Sequence, residues 1–301
     1  MGALQGRAQP LILVRAASLP LRGALLGVPL AFVTLFLVAP LTLTVVISFW
    51  KRVGFGIRPG FSLASYASFM GGVRIEILER SLLVAAEVTA IGLLAAYPIA
   101  WFLALKTSAR ATRIVLMLFT IPFLVNYVIR TFSWSYLLSR TGPVNSVLIA
   151  AGLTDAPLDW LLYSDFAVVV GLVMSYMPFM IFPLWLALQG IDRRLIHASW
   201  LLGAGPVRTF FRVVLPLSMP GVLAAFIFGF VGSFGDHAVP VILGGTGYQL
   251  IGNEITSTLD VLNYPLAAAM STVVIAAMLI LVAVWGSLFD LRSFLGKALG
   301  R

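Results

Sequence analysis

Along the chain, long apolar runs alternate with short polar segments that carry Gly, Pro or basic residues. The runs are predicted at 24–50, 79–103, 114–138, 166–188, 217–243 and 265–288. Each meets or exceeds the about 20 apolar residues that a bilayer-crossing helix needs. The expected fold is therefore an all-α integral membrane protein with six transmembrane helices. An N-terminal segment (1–23), a six-helix domain (24–289) and a tail (290–301) divide the chain. Arg7, Arg15 and Arg22 before the first run resemble the start of a secretory signal. That run is far longer than the apolar part of a signal, about 7–15 residues, so it is expected to stay as the first helix. Residues 51–78 have room for a short helix near Phe61, Tyr66 and Phe69, and 144–151 reads as a short amphipathic piece.

The most elaborate interruption is 190–221, GIDRRLIHASWLLGAGPVRTFFRVVLPLSMPG. Gly190 is placed to end the preceding helix in the left-handed conformation. Asp192 is placed to cap a new short helix through Leu202. Gly203-Ala204-Gly205 breaks that helix, and Pro206 suits the first turn of the next. Leu215-Pro216 and Pro220-Gly221 are expected to force a further bend. The result is two short helices at an angle between two spans, either an amphipathic hairpin lying on the bilayer or a rigid docking element, since a plain tether would need only flexible residues.

Composition agrees with the pattern. The 301 residues are 60% hydrophobic and 10% charged, with a mean hydropathy of +1.04, whereas soluble domains carry about 25% charged residues. The net charge of +9 is scattered among short loops and reads as a topology signal, not as a nucleic-acid surface. Thirteen Lys and Arg fall in the segments assigned to the inside, against six outside. Both termini and the 190–216 loop are therefore expected on the cytoplasmic side. With no cysteine and two histidines, His197 and His237, disulfides and Cys/His metal sites are excluded or disfavoured.

Ionisable residues inside spans are functional candidates because burial in lipid costs several kcal/mol. Glu87 and Arg130 lie at matched positions in antiparallel spans, both about 12 Å below the outer surface at 1.5 Å per residue. They either form a structural ion pair or leave Glu87 to contact a substrate. Asp236 sits where Gly232, Gly235 and Pro240 interrupt the fifth span. It is either a polar cap near the interface or part of a translocation path, since broken helices at membrane depth need cover from protein or a water-filled cavity. Tyr127, Trp134, Tyr176 and Phe179 fall at similar depth. They form either an interfacial aromatic belt or faces on which a cationic ligand would rest.

The 190–221 segment resembles the cytoplasmic EAA loop of ABC-importer permeases. The match runs through His197-Ala198-Ser199, Leu202-Gly203-Ala204 and Leu215-Pro216-Leu217-Ser218-Met219-Pro220-Gly221, with His197 in place of the pattern's Glu and Ser199 in place of its second Ala. The stretch 171–195, including Tyr176, Pro178 and Phe179, and the stretch 235–245 are similar to spermidine/putrescine permeases. The resemblance implies a type I importer (MetI-like) permease fold and a coupling loop. In that loop His197, Ala198, Ser199, Leu202, Gly203, Ala204, Gly205, Pro206 and Phe210 would meet an ATPase subunit. It also implies a second homologous permease, an ATPase dimer and a periplasmic substrate-binding protein as partners. Opine, phosphonate and iron permeases share the loop, so the substrate branch stays open. No phosphate-binding G-x-x-x-x-G-K-[ST] motif is present, so ATP and Mg would belong to the partner ATPase and this chain would hold no cofactor. A secondary carrier running on Glu87, Arg130 and Asp236 would instead be expected to show broken helices in both halves.

Overall fold

A computed structural model describes residues 27–54 and 56–288. The segments expected at 1–23 and 290–301 lie outside the described residues. Residues up to Val46 and those from Ile47 onward form two units. The first contains most of α1 (Gly27–Ser48), a helix apolar on every side, as a lipid-facing span requires. Its Thr42 and Thr44 hydroxyls donate back to Val38 O and Pro40 O at 2.8 and 3.0 Å, so neither polar group is left bare in an apolar medium.

The second unit opens with a two-stranded antiparallel hairpin, β1 (Lys51–Val53) and β2 (Gly56–Arg58), which the hydrophobic pattern does not reveal. The helices follow as α2 (Ala64–Met70), α3 (Val73–Leu105), α4 (Ala109–Leu124), α5 (Tyr127–Leu138), α6 (Pro143–Ala150) and α7 (Asp165–Gln189). They continue with α8 (Arg193–Leu201), α9 (Pro206–Phe234), α10 (Ala238–Gly244), α11 (Ile251–Asp260) and α12 (Tyr264–Leu288). Packing concentrates on α3, α7 and α9, which pack against one another. Gly221 makes the α7–α9 approach possible, because a Cβ there would lie 2.5 Å from Ala187 Cβ and 2.6 Å from Pro183 O.

Among the described residues, α1, α3, α7, α9 and α12 are each long and apolar enough to cross a membrane. The third expected span is broken: α4 and α5 meet at an angle of 91°. Pro122 lies inside α4, and Asn126 starts α5 by accepting from Val128 N and Ile129 N at 2.9 and 3.4 Å. A cap-forming Asn followed by a new first turn outweighs the apolar run that suggested one continuous helix.

The fifth span also differs from expectation. It begins at Pro206, the start of the second short helix, and stops at Phe234, with α10 a separate segment. The helix runs through Pro216 without interruption. Immediately upstream, Phe210–Val214 forms a π turn in which Leu215 N–H reaches back to Phe210 O. In α1 the π turn Thr34–Val38 precedes Pro40 in the same way, with Ala39 N–H reaching Thr34 O. In both, the carbonyl four residues before the proline lies in the wider turn. A wider turn at that point is one way for a helix to accommodate a residue that has no N–H and whose ring crowds the carbonyl four residues back.

Candidate functional site

At one end of the bundle, Asp192 accepts from Arg194 N at 2.9 Å and caps α8, as its position in the sequence predicts. Gly190 does not adopt the expected left-handed conformation; it has φ −72° and ψ −8°. The left-handed residue is Gly203, at φ +79°, where the chain reverses after α8. Ser199, the departure from the loop pattern, has a structural use: its hydroxyl pairs with that of Thr209 at 2.7 Å and ties α8 to the start of α9.

Leu201 and Leu202 are 90% and 88% exposed, and Trp200, Val207 and Phe211 are exposed beside them. Arg208 and Arg212 are exposed on the same stretch of chain, so apolar and basic side chains share that surface. His197 stacks near Trp200, with ring centroids 5.3 Å apart. Phe210 lies between this patch and α3, meeting the Phe211 ring edge-on at 4.9 Å. Its ring meets Tyr97 and Trp101 of α3, each at 5.6 Å, while Tyr97 Oη pairs with Ser218 Oγ of α9 at 2.8 Å. Movement of α8 would therefore reach both α3 and α9 through named contacts.

A second cluster forms around the break between α9 and α10. Asp236 is 5% exposed. Its Oδ1 accepts from Ala238 N and Val239 N at 3.0 and 2.9 Å, which satisfies the first turn of α10. Its Oδ2 accepts from Tyr176 Oη of α7 at 2.8 Å and from Tyr127 Oη of α5. Three elements thus converge on one carboxylate. Gly232 allows the convergence, since a Cβ there would lie 2.3 Å from Tyr176 Cε1. The two tyrosines, with Ser175, Phe179, Arg130 and the 124–126 break, line a cavity of 620 Å3.

Arg130 is used differently from the sequence expectation. Its Nη1 donates to Pro122 O at 3.0 Å, and its guanidinium lies 5.3 Å from the Tyr127 ring centroid. The break after α4 leaves carbonyl oxygens without helical partners, and the guanidinium supplies one donor there. Among the described residues no ion pair joins it to Glu87. The depth argument presumed a straight third span, and the break removes that premise. Glu87 is exposed on α3 and faces a separate groove of 480 Å3, shared with Asp165, Phe166, Val169 and Met174 of α7. Trp134 packs against the core cluster that includes α7 and does not line the cavity beside Tyr127 and Tyr176.

One cluster has no counterpart in the sequence reading. Asp165 Oδ1 accepts from Arg80 Nη2 at 2.8 Å and from Tyr248 Oη at 2.7 Å, and the Arg80 guanidinium lies 4.2 Å over the Tyr248 ring. Burial and the neighbouring Asp165 carboxylate push the Tyr248 phenol up. Arg80 and Asp165 sit near the ends of apolar runs and read there as loop charges, so only the packing of α3 beside α7 reveals the pairing.

Comparison with known proteins adds to this geometry. Residues 89–292 match the family described as binding-protein-dependent transport system inner membrane component. The chain is 34% identical over 229 residues to the spermidine/putrescine transport system permease protein PotB of Salmonella typhimurium, covering 75% of this chain and 79% of that one. It is 32% identical over 228 residues to the inner membrane ABC transporter permease protein YdcU of Escherichia coli, covering 72% of each. Among solved structures, a bacterial ABC transporter involved in the import of the acidic polysaccharide alginate superposes with a TM-score of 0.71. That match covers 90% of this chain and 95% of the other at 16% identity, a likeness of fold.

Proposed function

The chain belongs to the inner membrane components of binding-protein-dependent transport systems, and on that premise we propose that it is the permease subunit of an ATP-driven importer of polyamines. The observation that carries the substrate class is the Asp236 cluster, taken with the similarity to PotB permeases. A polyamine presents ammonium groups on an apolar chain. A buried carboxylate held by the hydroxyls of Tyr127 and Tyr176, whose rings line a cavity with Phe179, complements both features. Asp236 keeps Oδ1 committed to α10, while Oδ2 is held by two phenols that an ammonium can replace. Arg130 lines the cavity together with the two tyrosines that hold Asp236 Oδ2, and it opposes lasting capture of a cation there. Transport needs that balance, because a site must bind well enough to fill and weakly enough to empty. Glu87, on the separate groove, is a second carboxylate for the path.

The partners follow from the same reading: a second homologous permease, an ATPase dimer on the cytoplasmic side and a periplasmic substrate-binding protein. The exposed Leu201–Leu202 patch meets the ATPase. Closure of that dimer on ATP pushes α8, and the push passes through Ser199–Thr209 and Phe210–Tyr97 into α9 and α3. Because α9 ends at the Asp236 break, its displacement alters the geometry of the carboxylate. Uptake of labelled spermidine by cells carrying the intact importer should stop on ATP depletion and persist with a protonophore while ATP is maintained. Uptake that survives ATP depletion but collapses with the protonophore would identify a secondary carrier and overturn this reading.

A further inference from the structure

Beside the coupling end of the bundle, a cavity of 630 Å3 opens between the α3–α4 turn, α4 and the last turns of α7. Two guanidinium groups line it, Arg113 of α4 and Arg193 at the first position of α8, and no carboxylate does. Among the described residues neither arginine forms an ion pair. Gln189 adds an amide, while Met117, Phe182 and Trp185 form an apolar wall on the faces of α4 and α7 that run on into the membrane. The frame is fixed before any ligand arrives. Thr107 and Thr112 hydroxyls donate to Leu103 O at 2.7 and 3.0 Å, and Arg193 Nη2 donates to Leu105 O at 3.3 Å.

We propose that this cavity binds the phosphodiester headgroup of an anionic phospholipid of the cytoplasmic leaflet, with an acyl chain along Met117, Phe182 and Trp185. The orientation rests on the permease reading above, in which α8 is cytoplasmic. Cationic pockets between helices at that leaflet match anionic headgroups, which attract nearby Lys and Arg. A free phosphate would satisfy the guanidinium groups but leave the apolar wall uncovered, whereas a lipid occupies both. Such a lipid would join the α3–α4 turn to the first residue of the coupling helix, so the headgroup would set how firmly α8 is held to the bundle.

The test uses the full chain in phosphatidylcholine vesicles titrated with phosphatidylglycerol, with retained lipid read by native mass spectrometry and unfolding of each variant followed in parallel. The intact chain should retain phosphatidylglycerol over phosphatidylcholine. Arg113→Gln should weaken retention about fivefold, and Arg113→Gln with Arg193→Gln about thirtyfold, in line with the attraction expected per basic residue. The Arg113→Lys/Arg193→Lys pair should keep most of it. Inorganic phosphate in excess should not displace the lipid. Equal retention of the two lipids, unchanged retention in the double Gln variant, or displacement by inorganic phosphate would each overturn the proposal. The single variant, on the exposed face of α4, keeps the test available if the double variant fails to fold. Retention is measured without transport, so a wrong substrate or energy source would leave this result intact.

Discussion

Asp236 concentrates four hydrogen bonds from three helices on one carboxylate, and replacing its charge separates two roles. In Asp236→Asn the amide oxygen can still accept from Ala238 N and Val239 N, so α10 keeps its cap while the proposed cation site loses its charge. Uptake should fall at least tenfold with ATP hydrolysis by the assembled importer retained, as initial rates measured together would reveal. Gly232→Ala tests the convergence sterically. The new Cβ meets the Tyr176 ring, and overpacking of this kind costs about 1–3 kcal/mol. Combining Gly232→Ala with Tyr176→Ala should be less destabilising than the sum of the single changes; strict additivity in thermal unfolding would contradict the contact. The sequence singled out Asp236, Tyr127 and Tyr176 by depth and by the neighbouring breakers, and the structure brings them together. It did not reveal Asn126 as the residue that turns α5 toward them, because an Asn in an apolar run shows its capping role only once the run has broken.

At the scale of elements, the helix-breaking residues carried both the successes and the misreadings. Asp192, Gly203 and Pro206 delimit α8 and start α9 as their positions predict, since capping is decided within one turn of chain. Pro216 was expected to bend the chain; the helix instead continues through it with a π turn immediately upstream, which no local residue preference announces. The same limit applies to the Glu87–Arg130 pair, which presumed a straight helix from 114 to 138. With Arg130 bonded to Pro122 O, Arg130→Gln should destabilise the α4–α5 break, and adding Glu87→Gln should not rescue it. Recovery of thermal stability in the double variant would restore the ion pair. Gly203→Ala places a Cβ on a left-handed residue at a cost of about 1 kcal/mol. It should reduce uptake more than it reduces the amount of protein in the membrane, and equal reductions would mean that the turn serves folding alone.

For the whole molecule, apolar run lengths conveyed five of the six expected spans, the third being broken, and the distribution of Lys and Arg supplies an expected orientation. The working surfaces arise instead from how α3, α7 and α9 pack. The exposed Leu201–Leu202 patch precedes α9 and the Asp236 break follows it, so on the proposed reading that single helix would join ATP-dependent motion to the carboxylate. The most direct test is uptake of labelled spermidine and putrescine by the source cell with the gene deleted, then complemented with the intact chain or with Asp236→Asn. Loss on deletion, recovery with the intact chain and failure of Asp236→Asn to restore uptake despite equal membrane levels is the predicted result. Polyamine uptake unchanged by the deletion, or full recovery with Asp236→Asn, would contradict the account.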